Sequence, residues 1–311
     1  MDLVPTIDIG CPAAGELAAV DAACRDHGFF LLRGHGLDGL VERMWQETRR
    51  FFAAPQHVKE SVRRSEKQPL GFYDRELTKR RRDCKEVFDF MEPASAFAAT
   101  RNRWPDDLPG FRETQDEFFC AFSKLAVRTL ELVHRALGAA PDAAAGSPSA
   151  STVRLNYYPV GDPVPAGERA ALADLGETAL GYHTDPGVLT LLLQDDTGGL
   201  QARSHADGWI DITPSPGTIV VNLADSLQVW SNDRYRAAVH RVVPMTEQAR
   251  YSIPYFFNPA MDAVIEPIAG LGDEAPRYRP FTWREFIMAR AQDNFADLAA
   301  EDTQASHYRI V

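Results

Sequence analysis

Long apolar runs are missing from this 311-residue chain: the strongest, Val188-Leu189 and Leu191–Leu193, are separated by Thr190 and fall far short of the roughly 20 residues a membrane span needs. Positive charge is scarce as well, with 33 Lys and Arg against 44 Asp and Glu and a formal net charge of −11. Affinity for phosphate backbones and anionic lipid comes largely from Lys and Arg, so neither nucleic acid nor a membrane is an expected partner. Cysteine is sparse: Cys11, Cys24, Cys84 and Cys120 form no C-x-x-C pair, which argues against a disulfide frame or a zinc–thiolate site. The opening Met1-Asp2-Leu3-Val4-Pro5 lacks a basic stretch followed by an apolar one, which leaves a cytoplasmic protein as the expectation. Repeats and low-complexity tracts are absent. What remains is 45% hydrophobic and 25% charged, the composition of an ordinary globular protein.

The spacing of apolar residues changes part-way along the chain. Before residue 140 it is mostly helical, over Gly15–Cys24, Leu40–Phe52 and Phe111–Leu137, with short β-like pieces at Thr6–Ile9, Gly28–Arg33 and Glu86–Phe90. Gly138–Ser151, rich in Ala, Pro, Gly and Ser, reads as a loop between regimes. Strands are then predicted at Thr152–Tyr158, Val188–Gln194, Leu200–Arg203, Trp209–Ile212, Thr218–Leu223, Ala237–Val243 and Ser252–Phe257, and helical spacing returns at Phe281–Ala299. Short strands punctuated by turns predict a jelly roll flanked by N-terminal helices and one C-terminal helix. The division falls at 1–150 and 151–311, within what reads as one compact body.

Eight histidines are present, and two of them open an H-x-D triplet. His205-Ala206-Asp207 runs directly into the Asp207-Gly208 turn signal and reads as an exposed loop. His183-Thr184-Asp185 precedes Pro186-Gly187 and an apolar strand, and residues two apart on extended backbone share a face. His240, flanked by aliphatic residues 240 − 183 = 57 positions on, is the candidate third ligand. Two imidazoles and one carboxylate on a common face suit Fe(II), because three coordination positions stay open. Arg250 and Ser252 are again two apart, and a guanidinium beside a hydroxyl makes a receptor for a small carboxylate. Asn156 and Tyr158 add polar groups on one face of another strand.

With these residues assembled, the chain resembles the isopenicillin N synthase-like family of non-haem iron, 2-oxoglutarate-dependent dioxygenases nearly from end to end. The match runs through Pro5–Asp8, Asp26–Phe30, His35-Gly36, Phe51-Phe52, Asp83–Phe88, Asn102–Pro105, Asn156–Pro159, His183–Asp185, Asn222–Asp225, Ser231-Asn232, His240–Val242 and Arg250–Ser252. The resemblance implies a mainly β fold with α, a distorted double-stranded β-helix. It implies Fe(II) on His183, Asp185 and His240, and 2-oxoglutarate with its far carboxylate on Arg250 and Ser252, helped by Asn156 and Tyr158. It also implies use of O2 to oxidise an unactivated C–H bond of a small metabolite, with succinate and CO2 released; hydroxylation is the default, desaturation or cyclisation the variants. Ala224 and Cys84 depart from the family pattern, at a glycine and at a common aromatic position respectively. The carboxylate at Asp185 speaks against a halogenase.

Two other readings stay open on the residues: an iron oxidase without 2-oxoglutarate, gripping its substrate's own carboxylate with Arg250 and Ser252, and a non-catalytic ligand-binding barrel. For the substrate, Phe72, Tyr73, Arg75, Phe256 and Asn258 are candidates, and the segment from Gly71 through Lys79–Arg82 is a candidate roof. That basic run in an acidic chain fits a carboxylate-bearing substrate; its plainer reading is a solvated loop. The segment from Phe281 is a candidate lid, and a monomer is compatible with everything above.

Overall fold

The computed structural model describes residues 4–11, 15–65, 67–94, 101–140, 145–204, 208–291 and 303–310. The first half of the chain carries strands β1 (Thr6–Asp8), β2 (Phe29–Arg33), β3 (Gly71–Tyr73), β4 (Leu77–Thr78), β5 (Arg81–Arg82) and β6 (Glu86–Met91). The second half carries β7 (Thr152–Tyr158), β8 (Leu180–His183), β9 (Leu189–Gln194), β10 (Leu200–Ser204), β11 (Gly208–Asp211), β12 (Ile219–Leu223), β13 (His240–Val242) and β14 (Arg250–Phe257). The helices used below are α1 (Glu16–Asp26), α2 (Asp38–Phe52), α3 (Gln56–Ser61), α4 (Phe111–Leu137), α5 (Asp225–Trp230) and α6 (Trp283–Ala291).

Eight strands form a major sheet in the order β1-β2-β12-β9-β14-β7-β6-β3, and four form a minor sheet in the order β11-β10-β13-β8. From β7 onward the chain passes back and forth between the two sheets, which makes the double-stranded β-helix of a jelly roll. The first half extends the major sheet at both edges: β2 lies antiparallel to β12 with β1 parallel beyond it, and β6 and β3 add antiparallel strands beyond β7.

Period-2 alternation decides which side chains enter the barrel. On β14, Ile253, Tyr255 and Phe257 join the apolar cluster outside the major sheet, while Arg250, Ser252 and Phe256 face the interior cavity. Helix α4 covers the outer face because Phe118, Phe122, Leu125 and Leu132 recur on its buried side, and it packs across β9 and β14. It ends at Gly138, whose φ of 77° is a left-handed cap that a side chain would strain. A smaller apolar cluster, including Phe29, Leu192, Leu200 and Val242, fills the space between the sheets.

The strand expected over Ala237–Val243 is confined to His240–Val242. The Ala237 amide instead donates to the Gln228 side chain at 2.8 Å, and the Ala238 amide to the Leu223 carbonyl at 3.2 Å, so neither is available to a ladder. The C-terminal helix spans Trp283–Ala291; the rest of the stretch expected to be helical, 292–299, lies outside the described residues, as does His205-Ala206-Asp207.

A candidate metal centre beside a buried cation

Strand β8 ends at His183, and β13 begins at His240, its register partner across the minor sheet. Asp185 follows two residues later on irregular backbone. The ligand atoms of these three side chains lie within 4.8 Å of one another, and the Asp185 Oδ1 is 3.7 Å from each histidine Nε2. Every other donor or acceptor of the cluster has a partner that orients it. The His183 Nδ1 meets the Gly181 carbonyl at 2.8 Å and the His240 Nδ1 meets the Ala238 carbonyl at 2.9 Å. A carbonyl can only accept, so each Nδ1 carries the proton and each Nε2 presents its lone pair to the centre. The Thr190 hydroxyl donates to Asp185 Oδ2 at 2.6 Å, which leaves Oδ1 for a metal. Burial, then repulsion from His240, pushes the His183 pKa down to about 3, so its imidazole is neutral and ready to ligate. Burial opposes ionisation of Asp185, yet the two histidines and Thr190 hold its pKa below the usual value. Two imidazoles with their Nε2 atoms turned inward and a carboxylate, on one side of an open space, fit Fe(II) with positions to spare.

Deeper in the barrel, β14 and β7 pair so that Arg250 lies opposite Tyr158 and Ser252 opposite Asn156. The Asn156 amide donates to Ser252 Oγ at 3.2 Å. Arg250 is 1% exposed, and none of its three guanidinium nitrogens has a hydrogen-bond partner among the described residues. Burial drives its pKa below the ordinary value, with Tyr158 and Asp195 pulling the other way. A buried cation without an anion is costly, so this geometry calls for a carboxylate from outside the chain.

Residues 149–259 match the family described as the 2OG-Fe(II) oxygenase superfamily, and residues 4–107 match the non-haem dioxygenase in morphine synthesis N-terminal family. Homoarginine-6-hydroxylase 2-ODD-233 of Oryza sativa subsp. japonica is 30% identical over 296 residues, covering 89% of this chain and 88% of that protein. Gibberellin 2-beta-dioxygenase 4 of Arabidopsis thaliana is 33% identical over 302 residues, covering 91% and 89%. The chain belongs to the 2OG-Fe(II) oxygenase superfamily. It is a non-haem oxidoreductase that depends on Fe(II), 2-oxoglutarate and O2. Among solved structures, JOX2 in complex with 2OG, Fe and JA superposes with a TM-score of 0.81 at 28% identity, covering 98% of this chain and 89% of that one. The dioxygenase for auxin oxidation in rice gives 0.76 at 25% identity, covering 98% and 99%.

In this oxygenase the triad and Arg250 open onto one cavity of about 830 Å³. Phe256 and Asn258 line it, although the Asn258 amide also donates to the Ala150 carbonyl at 2.9 Å and so clamps the end of β14 to the start of β7. Phe72, Tyr73 and Arg75 do not line it, which corrects the expectation for the roof. Phe72 is fully buried on edge strand β3, within 6.3 Å of the Phe51 ring; Tyr73 is stacked under Arg64, and Arg75 is drawn to Asp74 and Glu168. Of the basic run, Lys79 and Arg80 reach the cavity, whereas Arg81 pairs with Asp174 and Arg82 with Asp162.

Several side chains around the cavity have no sequence signal. A buried lattice of ion pairs joins Glu76 to Arg64, Lys85 and Arg154, and Asp89 to Arg64 and Arg154, which fastens the 64–89 segment to β7. Arg290 of α6 reaches Thr184 and Asp225, and with Ile287, Gln304 and His307 it makes the C-terminal segment one wall. Burial pushes the Asp225 pKa up to about 6, and Arg290 works against that rise. Among the described residues no helix is long and apolar enough to cross a membrane.

Proposed function

We propose that His183, Asp185 and His240 hold the iron, that Arg250 and Ser252 receive the far carboxylate of 2-oxoglutarate with Asn156 and Tyr158 beside them, and that the enzyme hydroxylates a small carboxylate-bearing metabolite. The observation that carries the co-substrate assignment is the orphaned guanidinium of Arg250, sealed at the bottom of the cavity that the triad faces. Iron with 2-oxoglutarate and O2 supplies oxidation of an unactivated C–H bond, with release of succinate and CO2. The chain's own contribution is placement. The two backbone carbonyls keep each Nε2 aimed inward, Thr190 keeps one Asp185 oxygen free, and Arg250 with Ser252 sets how far the co-substrate can enter.

The substrate class follows from charge. The cavity is lined by seven Lys or Arg and four Asp or Glu in a chain whose net charge is −11. Asp185 belongs to the metal, and the other acids are matched inside the ion-pair lattice. Lys79 and Arg203 form no ion pair among the described residues, and Lys79 rests on the Tyr182 ring, 3.0 Å from its centroid. Cations of this kind at a cavity wall favour an anionic partner.

Anaerobic titration of the Fe(II)-loaded protein with 2-oxoglutarate tests the core of this reading through the visible charge-transfer band of a keto acid chelating iron. A saturable band that His183→Ala abolishes supports it. Bound iron with no band overturns the co-substrate assignment and gives Arg250 to the substrate's own carboxylate. Succinate release is then screened with paired acids and their amides; turnover of amides alone would overturn the substrate class.

A further inference from the structure

We infer that Arg290 is a positioning residue for the metal, acting through the peptide that joins two of its ligands. This rests on the assignment of His183, Asp185 and His240 as the ligands. Regular structure stops at His183, so the carbonyls of Thr184 and Asp185 have no ladder partner and must be satisfied from elsewhere. The Asp225 amide at the start of α5 donates to the Asp185 carbonyl at 2.9 Å. Arg290 Nη2 donates to the Thr184 carbonyl at 2.5 Å and to the Thr184 hydroxyl at 3.3 Å. Arg290 Nη1 donates to Asp225 Oδ2 at 3.0 Å, which closes a ring through Thr184, Arg290, Asp225 and Asp185 whose fourth side is the covalent backbone. The same Nη1 reaches Gln304 Oε1 at 2.9 Å, tying in the segment 303–310.

Only one residue separates His183 from Asp185, so a rotation of the intervening peptide redirects both ligands at once. The ring removes that freedom. Its members are shielded, with the Arg290 side chain 13% exposed and that of Asp225 6%. A planar guanidinium can serve a carbonyl and a carboxylate simultaneously in fixed directions, whereas an ammonium on a flexible stem is a point charge with no such fork. Partners one bond removed from metal ligands commonly govern metal affinity by 10- to 100-fold. Arg290 does this from a helix about a hundred positions away in sequence (290 − 185 = 105), so packing of the C-terminal helix and order at the metal are one event.

The test is titration of metal-free protein with Co(II), followed by its visible ligand-field bands, on wild type, Arg290→Gln, Arg290→Lys and Asp225→Asn, with thermal melts alongside. Arg290→Gln should weaken Co(II) binding by about 10- to 100-fold, and Arg290→Lys, which keeps the charge, by less. Asp225→Asn, which removes the charge but keeps an oxygen that can accept from Nη1, should weaken it by less than Arg290→Gln, and the double variant should be little weaker than Arg290→Gln alone, because both act on one ring. A purely structural arginine would lower the Tm and leave Co(II) affinity of the folded protein within twofold of wild type; that result overturns the inference. If Arg290→Gln does not fold, the Lys and Asn variants carry the test, and wild-type affinity in both overturns it. His183→Ala separates the two levels of argument: unchanged Co(II) affinity there sinks the ligand assignment itself, whereas loss there with wild-type affinity in Arg290→Gln sinks only the role of Arg290.

Discussion

The two faces of the major sheet are built from the same strands and obey opposite rules. Outward, Val153 and Leu155 of β7 and Ile253, Tyr255 and Phe257 of β14 meet α4 in a dense apolar layer where polar groups are few, among them Ser123 and Tyr255, joined by a 2.8 Å bond. Inward, Arg154, Asn156 and Tyr158 alternate with those residues on β7, and Arg250, Ser252 and Phe256 on β14. The outer face gains stability by excluding water from apolar area. The inner face spends part of that gain on a guanidinium with no anion, and it looks across the cavity at the minor sheet, where two imidazoles converge beside a carboxylate. A single backbone geometry thus separates what holds the protein together from what does chemistry, at intervals of one residue.

Substitutions should respect that division, and each is a way to break it. The largest effect is expected at the metal: His183→Ala or Asp185→Ala should abolish iron-dependent turnover, measured as succinate release, while circular dichroism shows the fold retained. Next, Leu155→Ala on the outer face, where the side chain is fully buried, should cost about 2–5 kcal/mol in chemical denaturation yet leave the KM for 2-oxoglutarate unchanged. A shifted KM would mean the faces are mechanically coupled. Arg250→Ala should raise that KM by roughly 10- to 100-fold, the value of a charge-assisted hydrogen-bonded pair, without lowering the Tm of the ligand-free protein, since an uncompensated buried cation is removed. A clear fall in that Tm would show Arg250 to be structural. The smallest change belongs to Ser252→Ala, about 2- to 10-fold in the same KM, as one hydroxyl donor to the carboxylate is lost while Arg250 keeps its charge there.

Much of this arrangement is legible without coordinates because β-strands are so regular. Spacing by two puts Arg250 with Ser252 and Asn156 with Tyr158, and the structure then sets these pairs directly opposite each other across β14 and β7. His183 and His240 are recognisable by residue type and by family likeness; their pairing across β8 and β13 is a register, which no local pattern encodes. Strands of two to four residues, such as β4, β5 and β8, are too short to display a period. The reading of Phe72, Tyr73 and Arg75 fails because closeness in sequence to the basic run says nothing of where the chain turns: lining of the cavity begins only at Glu76, once β3 has ended as a buried edge strand. Arg290 is invisible for a plainer reason. Its partners Thr184 and Asp225 are 290 − 184 = 106 and 290 − 225 = 65 positions away, and an arginine in a terminal helix is ordinarily a surface residue.

The facing register of His183 and His240 has a consequence for how the molecule comes into being. The two histidines are 57 positions apart with four strands, β9 to β12, between them, and β13 pairs with β10 on one side and β8 on the other. The histidines therefore meet only when a large loop has been closed, and closing distant segments is the slow part of assembling a β-rich topology. On the proposed assignment, a newly made chain offers iron the local His183 and Asp185 pair and a separate imidazole at His240, with the triad still unassembled. Completion of the proposed metal site then belongs to the end of folding rather than its beginning.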